Sequence, residues 1–404
     1  MNTLFDALFA PLSRRDDPLL LLADGSSLTG AAFQALVLRQ AQALRTAGVQ
    51  TGDRIAVQVA KTPEALAVYG AALAIGAVFL PLNTAYTSDE VDYFLGDATP
   101  RVLLCDVTRA NALAPVAARH GVALLTLNAD GSGSLTEAAL RCDGDFAPVD
   151  RGPDDLAAIL YTSGTTGRSK GAMLTHRNLL SNAEVLVDLW RFTRADVLLH
   201  ALPIFHTHGL FVASNVALLS GGRMIFLPGF DTGQVIRHLP QATALMGVPT
   251  FYTRLLDDPR FTRDLVAHMR LFVSGSAPLL AEPHDTFAAR TGHRILERYG
   301  MTETNMNTSN PYDGERRAGT VGFPLPGVEV RIMAEGAEAG LEGVGMIEVR
   351  GPNVFKGYWQ MPEKTAEELR PDGWFITGDL GKRDTDGYVH IVGRAKDLVI
   401  TGGY

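Results

Sequence analysis

The densest cluster of potentially reactive residues is segment 162–171, TSGTTGRSKG. It follows an apolar run, LAAILYT, that predicts a buried strand. Its three glycines allow the backbone to approach a ligand closely, and its hydroxyls and the charge of Lys170 suit phosphate oxygens. It lacks the GK[ST] ending of a Walker A loop, so it does not indicate a P-loop ATPase. The pattern predicts a phosphate-binding loop, and the alternative is a flexible polar turn.

Three later segments carry groups that suit a nucleotide. Segment 298–304, RYGMTET, offers an aromatic ring to stack on a base, a hydroxyl for a phosphate and a carboxylate for Mg²⁺. In segment 377–379, TGD, the aspartate could accept hydrogen bonds from both ribose hydroxyls. The third, GRAKDLVITGG, begins at Gly393.

The elements that must position these groups alternate between helix and strand. Pro63 begins a helix that ends at Gly76, and the apolar segment 77–82 follows as a buried strand. This punctuation favours a buried helix and strand over a membrane span, although residues 65–88 carry no charge. A capping box at 87–90 starts the next helix. The alternation predicts a doubly wound α/β sheet with ligands at the carboxyl ends of its strands.

The pattern divides the chain into four parts. Residues 1–190 form a first α/β subdomain with the phosphate loop, and residues 191–323 form a second one. Residues 324–394 are short, alternating and bounded by glycine, which predicts a small antiparallel β unit. Residues 395–404 are expected to be a hinge and the start of a further domain. The predicted fold class is therefore α/β, with two doubly wound subdomains and one small antiparallel unit.

Composition narrows the class of protein. Of 404 residues, 46% are hydrophobic and 20% charged, which is typical of globular proteins. Lysine and arginine total 36 against 44 acidic residues, and the net charge of −8 argues against nucleic-acid or anionic-membrane binding. Two cysteines outside any CxxC motif, with no basic residue ahead of the first apolar stretch, favour a cytoplasmic location. No obligatory protein partner is apparent.

TSGTTGRSKG, YGMTE, TGD and GRAKD, in this order and at these separations, resemble the adenylate-forming superfamily of acyl-CoA synthetases. The resemblance covers essentially the whole chain. Within that superfamily, ALPIFHTHGLFVASN, LMGVPTFYTRLL, LERYGMTETNMNTSNPY and GPNVFKGYW are most similar to the branch that activates malonate. The resemblance implies ATP, Mg²⁺ and coenzyme A, with CoA as co-substrate. A carboxylate would attack the α-phosphate to give an acyl-adenylate, whose good leaving group then lets the CoA thiol take the acyl group.

The resemblance also implies a role for each matching residue. The triphosphate and metal would be held by Thr162, Ser163, Gly164, Thr165, Thr166, Gly167 and Lys170 at the β- and γ-phosphates, by Thr302 at the α-phosphate and by Glu303 at Mg²⁺. The nucleoside would be held by Ser276, Ala277, Pro278 and Tyr299 around adenine and by Asp379 and Arg394 at the ribose. His206, Thr302, Glu303 and Lys170 would be the catalytic residues, and Lys396 the hinge.

His206 ends PIFH, which matches the acyl-site PxxH motif of the superfamily. An imidazole at this place could orient the attacking carboxylate. The alternative is a histidine satisfied within the core. His208 has no such match and is expected to be pocket wall.

Arg298 precedes the Tyr-Gly pair, where aryl-CoA ligases of this superfamily typically have glycine. A buried second carboxylate needs a fixed cation, and arginine offers a bidentate fork. Ser274 and Ser276 could add hydrogen bonds, with Met306 at the same substrate site. The resemblance therefore predicts a dicarboxylate, malonate or methylmalonate. The alternative is that Arg298 pairs with Glu297 or another surface acid.

The chain stops at GGY404, within a motif that the superfamily continues into a C-terminal domain of roughly a hundred residues. In the superfamily that domain supplies a lysine for adenylation and closes over the adenylate. We therefore expect residues 1–404 to bind ATP and acid but to turn over slowly.

Two competing functions remain open from the sequence. One is a ligase for an uncharged short acid or an adenylation domain that loads a carrier protein. Arg298 is the residue that distinguishes these from a ligase for a dicarboxylate. The other is a noncatalytic nucleotide-binding module, which would not release pyrophosphate. A serine hydrolase is excluded because SGSAP around Ser276 lacks the flanking glycines of GxSxG.

Overall fold

A computed structural model describes residues 1–162 and 168–396. The strands are, in chain order, β1 (Pro18–Leu22), β2 (Ser27–Thr29), β3 (Arg54–Gln58), β4 (Val78–Pro81), β5 (Val102–Cys105), β6 (Ala123–Thr126), β7 (Leu156–Thr162), β8 (Lys170–Thr175), β9 (Val197–His200), β10 (Arg223–Phe226), β11 (Ala244–Gly247), β12 (Leu271–Ser274), β13 (Leu296–Met301), β14 (Asn305–Ser309), β15 (Phe323–Pro324), β16 (Glu329–Ala334), β17 (Ala337–Glu338), β18 (Gly345–Arg350), β19 (Phe375–Arg383) and β20 (Val389–Arg394).

The helices alternate with these strands through the first three quarters of the chain. They are α1 (Thr3–Leu8), α2 (Gly30–Thr46), α3 (Pro63–Ile75), α4 (Ser88–Ala98), α5 (Val107–Arg119), α6 (Ser134–Leu140), α7 (His176–Leu189), α8 (Asn215–Leu219), α9 (Thr232–His238), α10 (Pro249–Asp257), α11 (Arg263–Val266), α12 (Ala281–Thr291) and α13 (Pro362–Glu368).

The first sheet has the order β6-β5-β3-β4-β7-β8 and is parallel except for the β7–β8 hairpin. Helix α3 begins as predicted, because the Thr62 side chain accepts from the Ala65 N–H and Pro63 occupies the first turn. It ends at Gly76, whose φ of 74° is the left-handed conformation that glycine adopts readily. The predicted buried strand follows as β4. None of the helices in the described part of the chain combines the length and apolar character that a membrane crossing requires.

The second sheet has the order β15-β14-β13-β12-β11-β9-β10-β1-β2. Strand β1 pairs in parallel with β10, with Leu20 opposite Met224. The structure therefore differs from the predicted boundary of the first subdomain, because β1 and β2 lie within residues 1–190 yet complete the sheet of the second subdomain. The reason is that β1 buries Leu19 and Leu20 against the second sheet, a pairing that no local pattern marks.

The third sheet, β17-β16-β18-β19-β20, is antiparallel throughout, which confirms the predicted small antiparallel unit. It is not a separate body. One continuous apolar cluster includes Leu19 of β1, Val57 of β3 and Ile347 of β18, so all three sheets share a core. The α/β fold class with two subdomains and an antiparallel unit is thereby confirmed.

Candidate active site

A cavity of about 770 Å³ opens where the three sheets meet. Thr162 at the end of β7 lines one side, Val248 after β11 lines another, and Met346 of β18 lines a third. The cavity thus lies at the carboxyl ends of parallel strands, where α/β sheets place their ligands.

The cavity brings together residues that are far apart in the sequence. Of the residues singled out above, those that line it are Thr162, Lys170, His206, His208, Ser276, Arg298, Thr302, Glu303, Met306, Arg394 and Lys396. Tyr299 and Asp379 do not line it but are bonded to each other behind Arg394. Ser274, Ala277 and Pro278 are also not among the lining residues of the described chain. Ser163, Gly164, Thr165, Thr166 and Gly167 lie outside the described residues.

The β7–β8 hairpin pairs Thr162 with Lys170, and both residues line the cavity. The Lys170 Nζ donates to both Glu368 oxygens, at 3.1 and 3.2 Å, and to the Tyr358 hydroxyl at 3.1 Å. That hydroxyl donates to Glu368 at 2.6 Å and lies 3.0 Å from Glu303. Burial raises the pKa of Glu303. Sequence analysis did not identify Tyr358 and Glu368. Their partner Lys170 lies far from them in the sequence, and no neighbouring residue indicates the contact.

Glu303 fits a magnesium ion that shares its coordination with phosphates. Glu303 is 4% exposed and its carboxylate lies 3.0 Å from the Tyr358 hydroxyl, so a cation beside it would offset the cost of burial. The described chain has no group of three carboxylate, histidine or cysteine ligands suited to a metal. Mg²⁺ is commonly held by one or two carboxylates together with water and substrate phosphates. Glu303 would then be the protein ligand.

Beside Arg394, which lines the cavity, the pairing of β19 with β20 sets Asp379 opposite this arginine. The Arg394 Nε lies 2.8 Å from one carboxylate oxygen, and the Tyr299 hydroxyl donates to the other at 2.5 Å. Burial raises the pKa of Asp379. Each oxygen keeps a second lone pair, so the carboxylate could still accept from vicinal hydroxyls.

Arg298 lies on β13, lines the cavity and is 3% exposed. Its Nε and one terminal nitrogen have no hydrogen-bond partner in the described chain. Burial lowers the pKa of its guanidinium to about 9. Gly275 makes room for it, because a Cβ at that position would collide with the guanidinium.

The expected alternative, an Arg298–Glu297 pair, is not found. Successive side chains of a strand point to opposite faces, and Glu297 turns away to accept from the Gly319 N–H at 3.3 Å. None of the ion pairs in the described part of the chain includes Arg298. A buried cation without a counter-ion is costly, so the site suits an anionic ligand.

Two histidines and two serines complete the predicted acyl end of the cavity. His206 packs on Phe205 with ring centres 4.6 Å apart, and burial lowers its pKa. The His208 Nδ1 lies 3.3 Å from the Ser276 hydroxyl, and burial followed by the Arg298 charge lowers its pKa well below the usual range. The Ser274 hydroxyl is buried without a partner. His208 begins a π-helix, residues His208–Ser214, a rare element that is frequent at functional sites.

The cavity combines a hairpin that suits phosphates, an aspartate that suits ribose hydroxyls and a buried site for an anion. This combination is typical of an enzyme that uses a nucleotide to activate a carboxylate. The chain belongs to the AMP-binding enzyme family, whose model matches residues 11–359.

Individual relatives are more specific. The chain is 36% identical to a malonate–CoA ligase of Arabidopsis thaliana over 99% of its length and 72% of that protein. It is 39% identical to a mitochondrial malonate–CoA ligase of Mus musculus over 81% of its length and 62% of that protein. The chain thus spans about three fifths to three quarters of these relatives. Among solved structures, the ATP-bound MatB of Rhodopseudomonas palustris is 58% identical with a TM-score of 0.96, covering 100% of this chain and 81% of that one.

Proposed function

We propose that the protein ligates malonate to coenzyme A at the expense of ATP, giving malonyl-CoA, AMP and pyrophosphate. The observation that carries this proposal is the buried guanidinium of Arg298, which lines the cavity and has two nitrogens without a hydrogen-bond partner in the described chain. The similarity to malonate–CoA ligases supports the same substrate.

Malonate has one carboxylate to activate and one to spare. The spare carboxylate would be desolvated in the cavity, which costs several kcal/mol unless a cation meets it. Arg298 supplies that cation and two unused N–H donors. An acid with an uncharged acyl chain, such as propionate, has no second carboxylate and would leave Arg298 buried without a partner. Methylmalonate differs by one methyl group, which such pockets discriminate by only about 1–3 kcal/mol.

The activated carboxylate must face the α-phosphorus. The imidazole of His206, kept neutral by burial, donates a hydrogen bond to this carboxylate and turns one oxygen toward phosphorus. That oxygen forms the new bond as the bond to the bridging oxygen of pyrophosphate breaks. The CoA sulfur later forms a bond to the acyl carbon. The bond between that carbon and the AMP oxygen breaks, and AMP leaves with its electron pair. Ser274 and Ser276 hydrogen-bond the spare carboxylate, and Met306 limits the length of the acid.

The remaining residues bind and orient the nucleotide. Thr162, Lys170 and Thr302 contact the phosphates, and Mg²⁺ bound at Glu303 would neutralise phosphate charge. The roles proposed for the nucleoside are adenine contacts from Ser276, Ala277, Pro278 and Tyr299 and ribose contacts from Asp379 and Arg394. Lys396, which follows β20 at the cavity edge, is proposed as the hinge.

Calorimetric titration tests the proposal. The protein, loaded with a nonhydrolysable ATP analogue and Mg²⁺, is titrated with malonate, methylmalonate, succinate and propionate. We expect binding of malonate and methylmalonate, and loss of that binding by about a hundredfold in Arg298→Met, with unchanged affinity for the analogue.

A matched pair of glycine variants tests the same point without removing the charge. Gly275→Ala should displace the guanidinium and weaken malonate binding, whereas Gly229→Ala, where an added Cβ meets nothing within 4 Å, should bind normally. Equal affinity for propionate and malonate in the wild type would overturn the proposed substrate.

We also propose a reducing compartment, the cytoplasm. Cys105 and Cys142 are both free thiols, and burial raises the pKa of Cys105 to about 11, which keeps it protonated. Cell fractionation with an antibody to the native protein tests this location.

A further inference from the structure

Lys61 is a buried amine outside the cavity described above. It follows β3, is 8% exposed, and takes part in none of the ion pairs of residues 1–162 and 168–396. Its Nζ lies 2.8 Å from His200 Nδ1 and 2.7 Å from the His200 carbonyl oxygen. The same nitrogen lies 4.3 Å from the centre of the Phe226 ring. Within the described chain, its hydrogen bonds are therefore to His200, and its ammonium faces the ring beside it.

The far side of the His200 ring fixes the direction of these hydrogen bonds. Its Nε2 lies 2.8 Å from the carbonyl oxygen of Gly209. A carbonyl oxygen can only accept, so Nε2 carries the proton and Nδ1 must accept from Lys61. The Lys61 amine and the Gly209 carbonyl thus favour the same tautomer of His200, with the proton on Nε2. The Ser214 hydroxyl donates to the same carbonyl at 2.9 Å.

Gly209 connects this network to the acyl end of the cavity. It follows His208 in the π-helix, and a Cβ at Gly209 would collide with the Pro203 carbonyl, so the helix is seated directly on the PIFH loop. His206 and His208 flank this contact, and both line the cavity. A shift of the Gly209 carbonyl would therefore move the imidazoles that face the substrate.

Packing does not explain the choice of lysine. Lys61 borders a second cavity of about 270 Å³, lined mainly by apolar residues such as Phe79 and Ile204, so the space around it is not filled tightly. Methionine has a similar length and could occupy this place without the cost of burying an amine. What methionine lacks is a donor for His200.

From this geometry we infer that Lys61 is a positioning residue, which holds the π-helix and its histidines against the acyl end of the cavity through His200. The expected effect on malonate binding rests on the proposed function as a malonate ligase. The contact between Lys61 and His200 does not depend on that function.

Two measurements on Lys61→Met test the inference. Nitrogen NMR of protein with labelled imidazoles reports the tautomer of His200, assigned with His200→Gln. We expect the His200 Nδ1 signal to shift because this nitrogen loses its donor, and we expect part of the protein to adopt the other tautomer as the bond to Gly209 weakens. Titration with malonate, in the presence of the ATP analogue and Mg²⁺, should show affinity lower by about tenfold, with unchanged affinity for the analogue. Lys61→Gln retains a donor and should restore the tautomer and most of the affinity. Lys356→Met, the same change at an exposed lysine, is the control.

The outcomes separate the possibilities. Unchanged His200 signals and unchanged malonate affinity in Lys61→Met would overturn the inference. A parallel loss of malonate and analogue affinity, not restored in Lys61→Gln, would show a merely structural role and overturn it too. If Lys61→Met does not fold, Lys61→Gln and His200→Gln decide, since the inference requires the first to resemble the wild type and the second to lose malonate affinity. If the wild type binds no malonate while its His200 tautomer depends on Lys61, the proposed substrate fails and the positioning stands.

Discussion

Two neighbouring residues of β13, Glu297 and Arg298, carry opposite charges that do not meet. The alternation of a strand sends them to opposite faces, and each is buried without a partner of opposite charge in the described chain. Burial disfavours the charged form of each, so it lowers the pKa of Arg298 and raises that of Glu297 to about 8. At Arg298 the missing partner is the proposed substrate. At Glu297 the consequence is a pH-dependent stability.

The expected change is a stability gain in Glu297→Gln at neutral and higher pH. The unfolded chain releases the Glu297 proton near pH 4.5, whereas the folded protein holds it up to about pH 8. Between these values the folded state binds more protons, so the contribution of Glu297 to the free energy of unfolding falls as pH rises. The variant should therefore match the wild type near pH 4.5 and exceed it above about pH 8, by at most a few kcal/mol.

Urea unfolding of the ligand-free protein across this pH range measures the difference. Glu282→Gln, at an exposed acid of α12, is the control and should show no pH-dependent gain. A constant difference between Glu297→Gln and the wild type would contradict the assignment, because it would mean that Glu297 is ionised alike in both states.

The β7–β8 hairpin contacts helix α13 through an ion pair between Lys170 and Glu368. The same ammonium that is proposed to meet the phosphates is held by a half-buried carboxylate. ATP must break this pair and also bind beside the carboxylate charge. Glu368→Gln should therefore tighten binding of the ATP analogue with Mg²⁺, by several-fold to about tenfold, because it frees Lys170 and removes like charge from the phosphate site.

Glu367→Gln provides a control one position away. Glu367 pairs with Lys364 and is largely exposed, so its replacement should change the affinity for the analogue little. Weaker binding in Glu368→Gln, measured by the same calorimetric titration, would contradict the competition and point instead to a direct role of this carboxylate at the metal.

The elements also show what a sequence can predict. Helix α3 with its caps and the Thr87 capping box depend on residues within a few positions of each other, and both were predicted. The pairing of β1 with β10 joins Leu20 to Met224, and the contact of Lys170 with Glu368 spans 198 positions. Neither leaves a local pattern. A motif marked Arg298, which lines the cavity, and its role stays a prediction. The same motif did not reveal Lys61 or Tyr358.

At the scale of the whole molecule, three sheets share one apolar core and one ligand cavity. Trp190 follows α7 and donates to Ser309 of β14, Trp359 donates to the Asp97 carbonyl in the first α/β subdomain, and Trp374 precedes β19 of the third sheet. The three tryptophans therefore report on different parts of the molecule.

Because one apolar cluster joins all three sheets, we expect them to unfold in one cooperative transition. In protein labelled with fluorotryptophan, the fluorine NMR signals of Trp190, Trp359 and Trp374 should disappear at the same urea concentration. Single Trp→Phe variants assign the signals. The ATP analogue with Mg²⁺ should move all three midpoints together, by an amount equivalent to about 2.7 kcal/mol at a hundred times its Kd. Malonate added to that complex should move all three midpoints again in the wild type but not in Arg298→Met. Loss of the Trp374 signal at a lower urea concentration than the other two would contradict the prediction, because the third sheet would then unfold on its own and the cavity it walls would open before the core is lost.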